Sequence, residues 1–399
     1  MKPLSDLVVL DFTHMLSGPY GTMLLADLGA QTIKIEPPGT GEGTRKLLAT
    51  DPEHSRDGMG AYFLTLARNK RSVCIDMKSE EGRAVFYRLV ERADVIVENF
   101  SPGVARRIGI DYKTVSAINP RIITCSISGF GNDGPGMNRP AFDMVAQGMG
   151  GGMSLTGEAD GRPLRAGIPI GDLGGGLMGA IGILSAVHAR SVTGKGQHVD
   201  ISMLDAQISM LNYMATMYLL SGRSPGRAGN GHFVHVPYDT FRTASRDLII
   251  AVITDNFWAS LVELLGDPDL AQEKYAGQPG RLADRAFIDE RLQQHFLTKP
   301  CEYWLEKLEA RRIPCAPVNE LSHALSDEQV RARNMVVSVG LPSGTVVDMP
   351  GNPVKMSDYA SEEFTPPPRL GADTDDVLAR LGGFSEADIA RLRQQGIVA

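Results

Sequence analysis

The sequence predicts an α/β protein whose larger part is a doubly wound parallel sheet. Apolar, strand-like runs alternate with helix-like segments along the first half of the chain, a pattern typical of parallel sheets with helices on both faces. The first such unit begins with a strand at 7–10, continues through a helix at 18–28 and ends with a strand at 31–36. Two prolines, Pro37 and Pro38, then stop the strand.

The same two patterns predict the elements that follow. Runs rich in β-branched residues predict strands at 71–76, 94–98, 121–127 and 196–202. Apolar residues at helical spacing predict helices at 80–92, near 104–108, at 177–192 and at 203–220. A glycine- and arginine-rich break at 221–231 predicts a linker, and residues 232–325 beyond it predict a smaller α+β unit. Two short helices after residue 372 close the chain.

Composition excludes several classes of function. The 399 residues carry a net charge of −7 and no long basic run, which argues against a nucleic-acid surface. The four cysteines are far apart and form no C-x-x-C pair, so we expect neither a metal site nor a disulfide framework. The N-terminus has no signal-peptide pattern, and the apolar stretches are short of a membrane span. We therefore expect a cytoplasmic protein with no membrane partner.

One carboxylate stands out because of its surroundings. Asp172 lies between an apolar run and the glycine cluster 174–176, and each glycine in a helix costs about 1 kcal/mol relative to alanine. One interpretation is that Asp172 caps a helix and the glycines let helices pack. The other is that Asp172 is reactive and needs a bare backbone beside it. The residues alone leave both interpretations open.

Motifs and charges restrict the class of ligand that the chain can bind. The chain has no G-x-G-x-x-G after its first strand, no G-x-S-x-G elbow and no Walker loop, which argues against dinucleotide sites and serine hydrolases. Basic residues instead follow the predicted strands, where open sheets bind ligands, and arginine there suits a phosphate-bearing ligand. They are Arg45, Lys46, Lys70, Arg71, Lys78, Arg106, Arg107 and Arg139.

A series of segments, in order along the chain, matches one protein family. They are Val9-Leu-Asp-Phe-Thr-His14 with Gly18-Pro19, Leu28 to Pro38, Asn69-Lys-Arg-Ser72, Ala93 to Gly103, Ser128-Gly-Phe-Gly131, Gln147 to Gly157, Gly171-Asp172, Thr193-Gly-Lys-Gly-Gln197 and Ile313 to Val318. With these segments the sequence resembles the class III CoA-transferases, the CaiB/BaiF family, over essentially its whole length. The stretches 15–22 and 349–355 look more like acetyl-CoA:oxalate and other dicarboxylate CoA-transferases.

The resemblance implies an intertwined, ring-like homodimer whose large domain is built from both chain ends. The domains would be a Rossmann-like CoA-binding domain at 1–220, a linker at 221–231, the small domain at 232–325, and a linker with the return to the large domain at 326–399. It also implies an enzyme without a tightly bound cofactor or metal, for which CoA and acyl-CoA are substrates.

The resemblance also implies roles for residues. The aspartate before the glycine cluster, here Asp172, would be the nucleophile, kept ionised by the helix dipole and N–H donors. Gly174 and Gly175 would let the thioester approach and help to stabilise the oxyanion, and Gln147 would be a nearby donor or a structural hydrogen bond. Residues assigned to CoA are Ile75, Asp76, Met77, Lys78, Asn99, Phe100, Ser101, Arg107, Arg139 and Phe142. Residues assigned to the acceptor are His14, Leu16, Ser17, Arg45, His232 and Tyr238.

Departures from the family pattern indicate the substrates. Formyl-CoA:oxalate transferases carry glutamine where this chain has Leu16, arginine where it has Pro37, and a Gly-Gly-Gly-Gly-Gln loop whose place is taken here by 229–238. We therefore expect succinyl-CoA or acetyl-CoA as donor and a small dicarboxylate as acceptor. The alternative is an α-methylacyl-CoA racemase of the same superfamily, but racemases have a histidine where this chain has Phe142, which cannot accept a proton. A third alternative is a CoA-binding protein without activity. The loss of Asp172 or of its glycines would favour that alternative, but the chain has both.

Overall fold

The structure, a computed structural model, describes residues 2–359 and 362–399. Its strands are β1 (Val8–Asp11), β2 (Gln31–Glu36), β3 (Ser55–Arg56), β4 (Met59–Gly60), β5 (Lys70–Cys74), β6 (Val95–Glu98), β7 (Ile123–Ser128), β8 (His198–Ser202), β9 (Tyr238–Phe241), β10 (Leu248–Ala251), β11 (Cys315–Pro317), β12 (Val336–Gly340) and β13 (Val346–Pro350). Its α-helices are α1 (Ser17–Asp27), α2 (Ala61–Leu66), α3 (Glu80–Val90), α4 (Val104–Ile108), α5 (Tyr112–Ser116), α6 (Asp143–Met149), α7 (Gly152–Leu155), α8 (Ile170–Thr193), α9 (Met203–Leu211), α10 (Tyr213–Ser221), α11 (Asp255–Leu265), α12 (Gln278–Ala283), α13 (Arg285–Phe296), α14 (Cys301–Glu309), α15 (Leu321–Ser326), α16 (Glu328–Ala332), α17 (Thr374–Arg380) and α18 (Glu386–Gln394).

The large sheet has the order β5-β2-β1-β6-β7-β8, and all its neighbouring strands are parallel. The predicted parallel α/β architecture is confirmed. Strand β2 matches the predicted bounds, and the other five strands begin and end within two residues of them. The strand order reverses between β1 and β6, and such a switch point leaves a crevice at the carboxyl ends of the strands.

Both faces of this sheet are covered. Leu10 of β1 belongs to a core with Phe86 of α3 and Val377 of α17. Its neighbour Val9 belongs to a second core, which includes Ile183 of α8. Because successive residues of a strand point to opposite faces, the two cores lie on opposite sides of the sheet.

Two helices differ from the prediction. The segment predicted as one helix at 203–220 is two, α9 and α10, separated by Asn212, whose φ is 50°. The helix predicted at 177–192 begins seven residues earlier, at Ile170, and continues through the glycine cluster. The glycines are tolerated because α1 approaches α8 closely there: a Cβ on Gly21 would lie 2.7 Å from the Gly176 carbonyl oxygen.

The chain folds into two compact units. The first comprises Met1–Gly152, Arg165–Asn212 and Gln329–Ala399, and thus both ends of the chain. The second comprises Met153–Leu164 and Tyr213–Glu328. Relative to the predicted division after residue 220, it begins earlier and takes in 153–164. It contains the antiparallel sheet β11-β10-β9 and a core that includes Trp258, Phe296 and Trp304.

Helix α8 is long and apolar enough to cross a membrane by length and composition, with a mean hydropathy of 1.5 over its 18-residue window. The expectation that every apolar stretch is too short to do so is wrong in this respect. The core helix of a water-soluble protein meets the same criterion, and 44% of the window is buried inside the protein. The absence of a membrane partner stays a prediction.

Candidate active site

A cavity of about 440 Å³ opens at the switch point, beyond the carboxyl ends of β1, β6 and β7. Its walls are His14–Ser17, Asn99–Pro102, Val104, Ile127–Gly129, Met137–Phe142, Asp172 and Met203. It brings together nine of the residues that were assigned to the site from the sequence. They are His14, Leu16, Ser17, Asn99, Phe100, Ser101, Arg139, Phe142 and Asp172.

Asp172 is the third residue of α8, and the residue at the cap position is Pro169. The interpretation of Asp172 as the N-cap is therefore wrong. The Asp172 carboxylate is half-buried, and none of the described residues donates a hydrogen bond to it. Burial, together with the nearby charge of Asp143, raises the pKa of Asp172 to about 6. We expected N–H donors to keep Asp172 ionised, but the described residues supply none. Because the pKa of about 6 lies below 7, the carboxylate is still mostly ionised at pH 7.

The donors at the start of α8 are used by another carboxylate, that of Asp143. Its Oδ1 accepts hydrogen bonds from the backbone N–H groups of Gly171, at 2.8 Å, and Asp172, at 3.3 Å. Its Oδ2 accepts from Gln147 Nε2 at 2.7 Å. Gln147 thus contacts Asp143 rather than Asp172. Sequence reasoning missed Asp143, although an acid one helical turn before Gln147 was a visible signal.

The glycine cluster is packed between helices. A Cβ on Gly175 would lie 2.7 Å from Ser17 Oγ of α1, and one on Gly174 would lie 2.5 Å from Met210 Cε of α9. Both glycines are buried and stand outside the cavity walls. Helix packing therefore accounts for them, which was one of the two interpretations that the sequence left open.

The loop after β1 is fixed by the loop after β6. Asn99 accepts a hydrogen bond from the His14 backbone N–H at 2.8 Å and donates one to the His14 carbonyl at 2.9 Å. The His14 ring lies edge-on to Phe100, with ring centroids 4.7 Å apart. Burial and the Lys34 ammonium lower the pKa of His14 to about 4, so the imidazole is neutral at pH 7.

Ser17 is the first residue of α1 and is one of the residues in the cavity wall. It is only 4% exposed, and its Oγ has no hydrogen-bond partner among the described residues. Nearby, Met15 has a φ of 60°, a left-handed conformation that is uncommon for a residue other than glycine. Such conformations concentrate at active sites. A buried hydroxyl that has no partner retains its capacity to donate one hydrogen bond.

Comparison with known proteins identifies the family. The sequence model of CoA-transferase family III matches residues 4–374. The chain belongs to this family. The protein is therefore an enzyme of the CoA-transferase type, as the segments along the sequence predicted.

Relatives match this CoA-transferase over nearly all of its length. It is 39% identical over 359 residues to the acetyl-CoA:oxalate CoA-transferase of Acetobacter aceti, with 90% of each chain covered. It is also 39% identical over 367 residues to the succinyl-CoA:mesaconate CoA-transferase of Haloarcula hispanica, covering 90% of this chain and 91% of that one. A crystal structure of a CaiB/BaiF family protein from Brucella suis shares 37% identity at a TM-score of 0.84, covering 95% of this chain and 99% of that one.

The residues of the CoA-transferase that were assigned to CoA lie in three places: the cavity wall, helix α4 and the segment 75–78. Arg139 and Phe142 are exposed in the cavity wall. Arg107, on α4, is exposed and has no ion-pair partner within the described ranges. The segment 75–78 lies outside the cavity walls: Ile75 is buried and bridges to Val398, and the Asp76 N–H donates to the Ile397 carbonyl at 2.8 Å.

Three residues that were assigned to the acceptor lie outside the cavity walls of the CoA-transferase. Arg45 donates two hydrogen bonds to Glu36, from Nε to Oε1 at 2.6 Å and from Nη2 to Oε2 at 2.7 Å. Its guanidinium also lies 4.1 Å from the centroid of the Phe63 ring. Its charge is thus already paired. His232 and Tyr238 belong to the second unit, where their rings are 5.2 Å apart.

Proposed function

We propose that this CoA-transferase moves CoA from succinyl-CoA or acetyl-CoA to a small dicarboxylate through an aspartyl-CoA thioester on Asp172. The observation that carries the proposal is a half-buried carboxylate, in the wall of a cavity at the switch point, to which none of the described residues donates a hydrogen bond. Carboxylates held only for structure are normally paired when they are buried. An unpaired one is free to act as a nucleophile.

The chemistry proceeds in balanced steps. An Asp172 oxygen attacks the thioester carbonyl, the C–S bond breaks, and CoA leaves as a thiolate, which gives a mixed anhydride. The thiolate then attacks the aspartyl carbonyl and releases the donor acid. The acceptor carboxylate attacks the resulting thioester, and the steps run in reverse to give the new acyl-CoA and free Asp172. Each addition produces an oxyanion, for which we assign the unpartnered Ser17 hydroxyl as a donor.

The acceptor follows from the relatives and from the charge of the cavity. The relatives described above are named for oxalate and mesaconate, which are both dicarboxylates. Arg139 supplies a cation in the cavity wall, and neutral His14 offers a hydrogen bond to a second carboxylate. We expect dicarboxylates to react fastest in a panel of acids tested against succinyl-CoA and acetyl-CoA, with the CoA products read by mass spectrometry. Equal rates with simple monocarboxylates would contradict this assignment.

Arg107 is proposed to bind a phosphate of CoA. We expect Arg107→Ala to raise the KM for acyl-CoA by roughly 10- to 150-fold, since a charged hydrogen bond is worth about 1.5–3 kcal/mol. Steady-state kinetics with varied acyl-CoA measures the effect, and the neighbouring Arg106→Ala serves as the matched control. If Arg107→Ala leaves the KM for acyl-CoA unchanged, the assignment of this residue is wrong.

The intertwined homodimer and the predicted domain division are part of the same proposal, together with a cytoplasmic location. They are supported by the match to the family over residues 4–374 and by the presence of both chain ends in one unit. Threaded chains cannot separate without unfolding, so dissociation should accompany denaturation at all protein concentrations. Sedimentation in increasing urea, followed in parallel by circular dichroism, measures both. A folded monomer at micromolar concentration would show that the chains are not intertwined.

A further inference from the structure

A chain of hydrogen bonds through Gln147 fixes the Asp143 carboxylate at the start of α8. Gln147 is 2% exposed and uses both ends of its amide. Its Oε1 accepts from the Ala166 N–H at 2.9 Å, and its Nε2 donates to Asp143 at 2.7 Å. Asp143 in turn accepts from the N–H groups of Gly171 and Asp172. The position of the Asp143 carboxylate is thus fixed on both of its oxygens.

This arrangement does more than a cap requires. Pro169 at the cap position has no side-chain acceptor, so the first turn of α8 needs one from elsewhere. A neutral serine or asparagine would fill that need about as well as an acid. A carboxylate places a second negative charge beside Asp172, which is unfavourable while Asp172 is ionised.

Acylation removes that unfavourable interaction. When Asp172 becomes an anhydride or a thioester, its negative charge leaves with the CoA thiolate or with the released acid. The remaining Asp143 charge then interacts only with the helix N-terminus, which favours it. The charge of Asp143 therefore destabilises the free carboxylate relative to the acylated forms.

We propose that Asp143 is a positioning residue whose charge, fixed by Gln147, drives the acylation of Asp172. The proposal rests on the proposed function, in which Asp172 is the residue acylated. Asp143 adds to burial in raising the pKa of Asp172. Two other charged or titratable groups, His14 and Arg139, line the cavity. On the helices that contact α8, Tyr20 of α1 is half-buried and Asp205 of α9 is exposed.

The test separates charge from hydrogen bonding. In the double variant Asp143→Asn/Gln147→Glu, the amide of residue 143 still accepts from α8 and donates to residue 147, and the new carboxylate still accepts from Ala166. All the hydrogen bonds are kept, and the charge moves to the side chain of residue 147, one hydrogen bond further from the N–H groups of Gly171 and Asp172. Asp143→Ser removes the charge and keeps a capping oxygen, and Asp143→Glu keeps the charge. These variants are compared with wild type as full-length protein.

Two readouts are expected to change. The acidic limb of kcat/KM should move to lower pH by up to about one unit in the double and serine variants, because the repulsion that raises the pKa of Asp172 is weakened. The ratio of chains that carry CoA mass to free chains after incubation with succinyl-CoA should fall by up to about tenfold, since one pKa unit corresponds to that factor in an equilibrium constant. Asp143→Glu should keep both values near those of wild type.

The outcomes distinguish this proposal from the proposed function. If wild type forms the adduct on residue 172 and the charge-moving variants match it in pH limb and adduct fraction, then Asp143 is only a cap and the inference is overturned. If wild type forms no adduct on residue 172 with any acyl-CoA that it turns over, the proposed function itself is wrong. Should the double variant fold poorly, Asp143→Ser against Asp143→Glu decides the question by the same two readouts.

Discussion

Asp172→Asn is expected to lower the rate of CoA transfer by roughly four orders of magnitude or more, as is usual for the loss of a covalent nucleophile. The asparagine keeps the size of the side chain and removes the reacting oxygen. Among the described residues Asp172 is the only carboxylate in the cavity wall, and the carboxylate of the neighbouring Asp143 is occupied by Gly171 and Gln147. The measurement is the formation of the new acyl-CoA, followed by mass spectrometry.

Two controls make this result specific. Binding of CoA to Asp172→Asn, measured by calorimetry, should stay within a few-fold of wild type, because the substitution leaves Arg107 and Arg139 in place. Wild type incubated with acyl-CoA should be inactivated by hydroxylamine, with the modification mapping to the peptide that contains residues 171–173. Substantial transfer by Asp172→Asn that has not deamidated back to aspartate would show that Asp172 is not the nucleophile.

Lys70→Met is expected to destabilise the fold by about 3–5 kcal/mol, because it leaves a buried carboxylate without its ion-pair partner. Lys70 Nζ lies 3.0 Å from Asp11 Oδ2 and also donates to Thr22 Oγ1 and to the Pro19 carbonyl. Both charged side chains are fully buried. The pair joins β5 to β1 and to α1, and thus supports the loop that carries His14 and the start of α1 at Ser17. Urea unfolding at fixed protein concentration measures the loss.

The pH dependence of this stability loss tests whether the unpaired Asp11 charge causes it. Although burial alone raises the pKa of Asp11, Lys70 and Lys34 outweigh it and hold that pKa well below its usual range in the wild type. Asp11 therefore stabilises the wild type above its unfolded pKa, and this contribution is lost as the pH falls through the folded value. In Lys70→Met the balance shifts towards burial, so the deficit should be larger at pH 8 than at pH 5. Asp11→Asn/Lys70→Met should be more stable than Lys70→Met at pH 8. An equal deficit at both pH values would contradict an unpaired charge as the cause.

Local patterns in the sequence were sufficient for the elements of the sheet. The unit formed by β1, α1 and β2 follows from apolar runs and from Pro37, and the six parallel strands lie within two residues of their predicted bounds. Helix α8 was predicted too short because glycine lowers intrinsic helix propensity. The packing that compensates for it comes from Ser17 and Gly21 on α1, which no local window contains.

Some residues of the candidate site could likewise be predicted from the sequence, and others could not. The sequence pointed to Asp172 by its glycine neighbours and by the family resemblance, and the cavity has this residue in its wall. It also assigned Arg45 to the acceptor, but that guanidinium is held by Glu36 at the end of β2. The choice of partner for a charged side chain depends on distance and burial, which strand order decides.

By itself, then, the sequence determined the alternation of strands and helices, the family and the carboxylate that stands before the glycine cluster. Only the tertiary structure decided that Asp143, 28 residues before Gly171, caps the helix that carries Asp172, and that Asn99 holds His14 from 85 residues away. The physical reason is that periodicity and propensity act over a few residues. Burial, charge pairing and the satisfaction of hydrogen bonds depend on neighbours that the order of the sheet brings together.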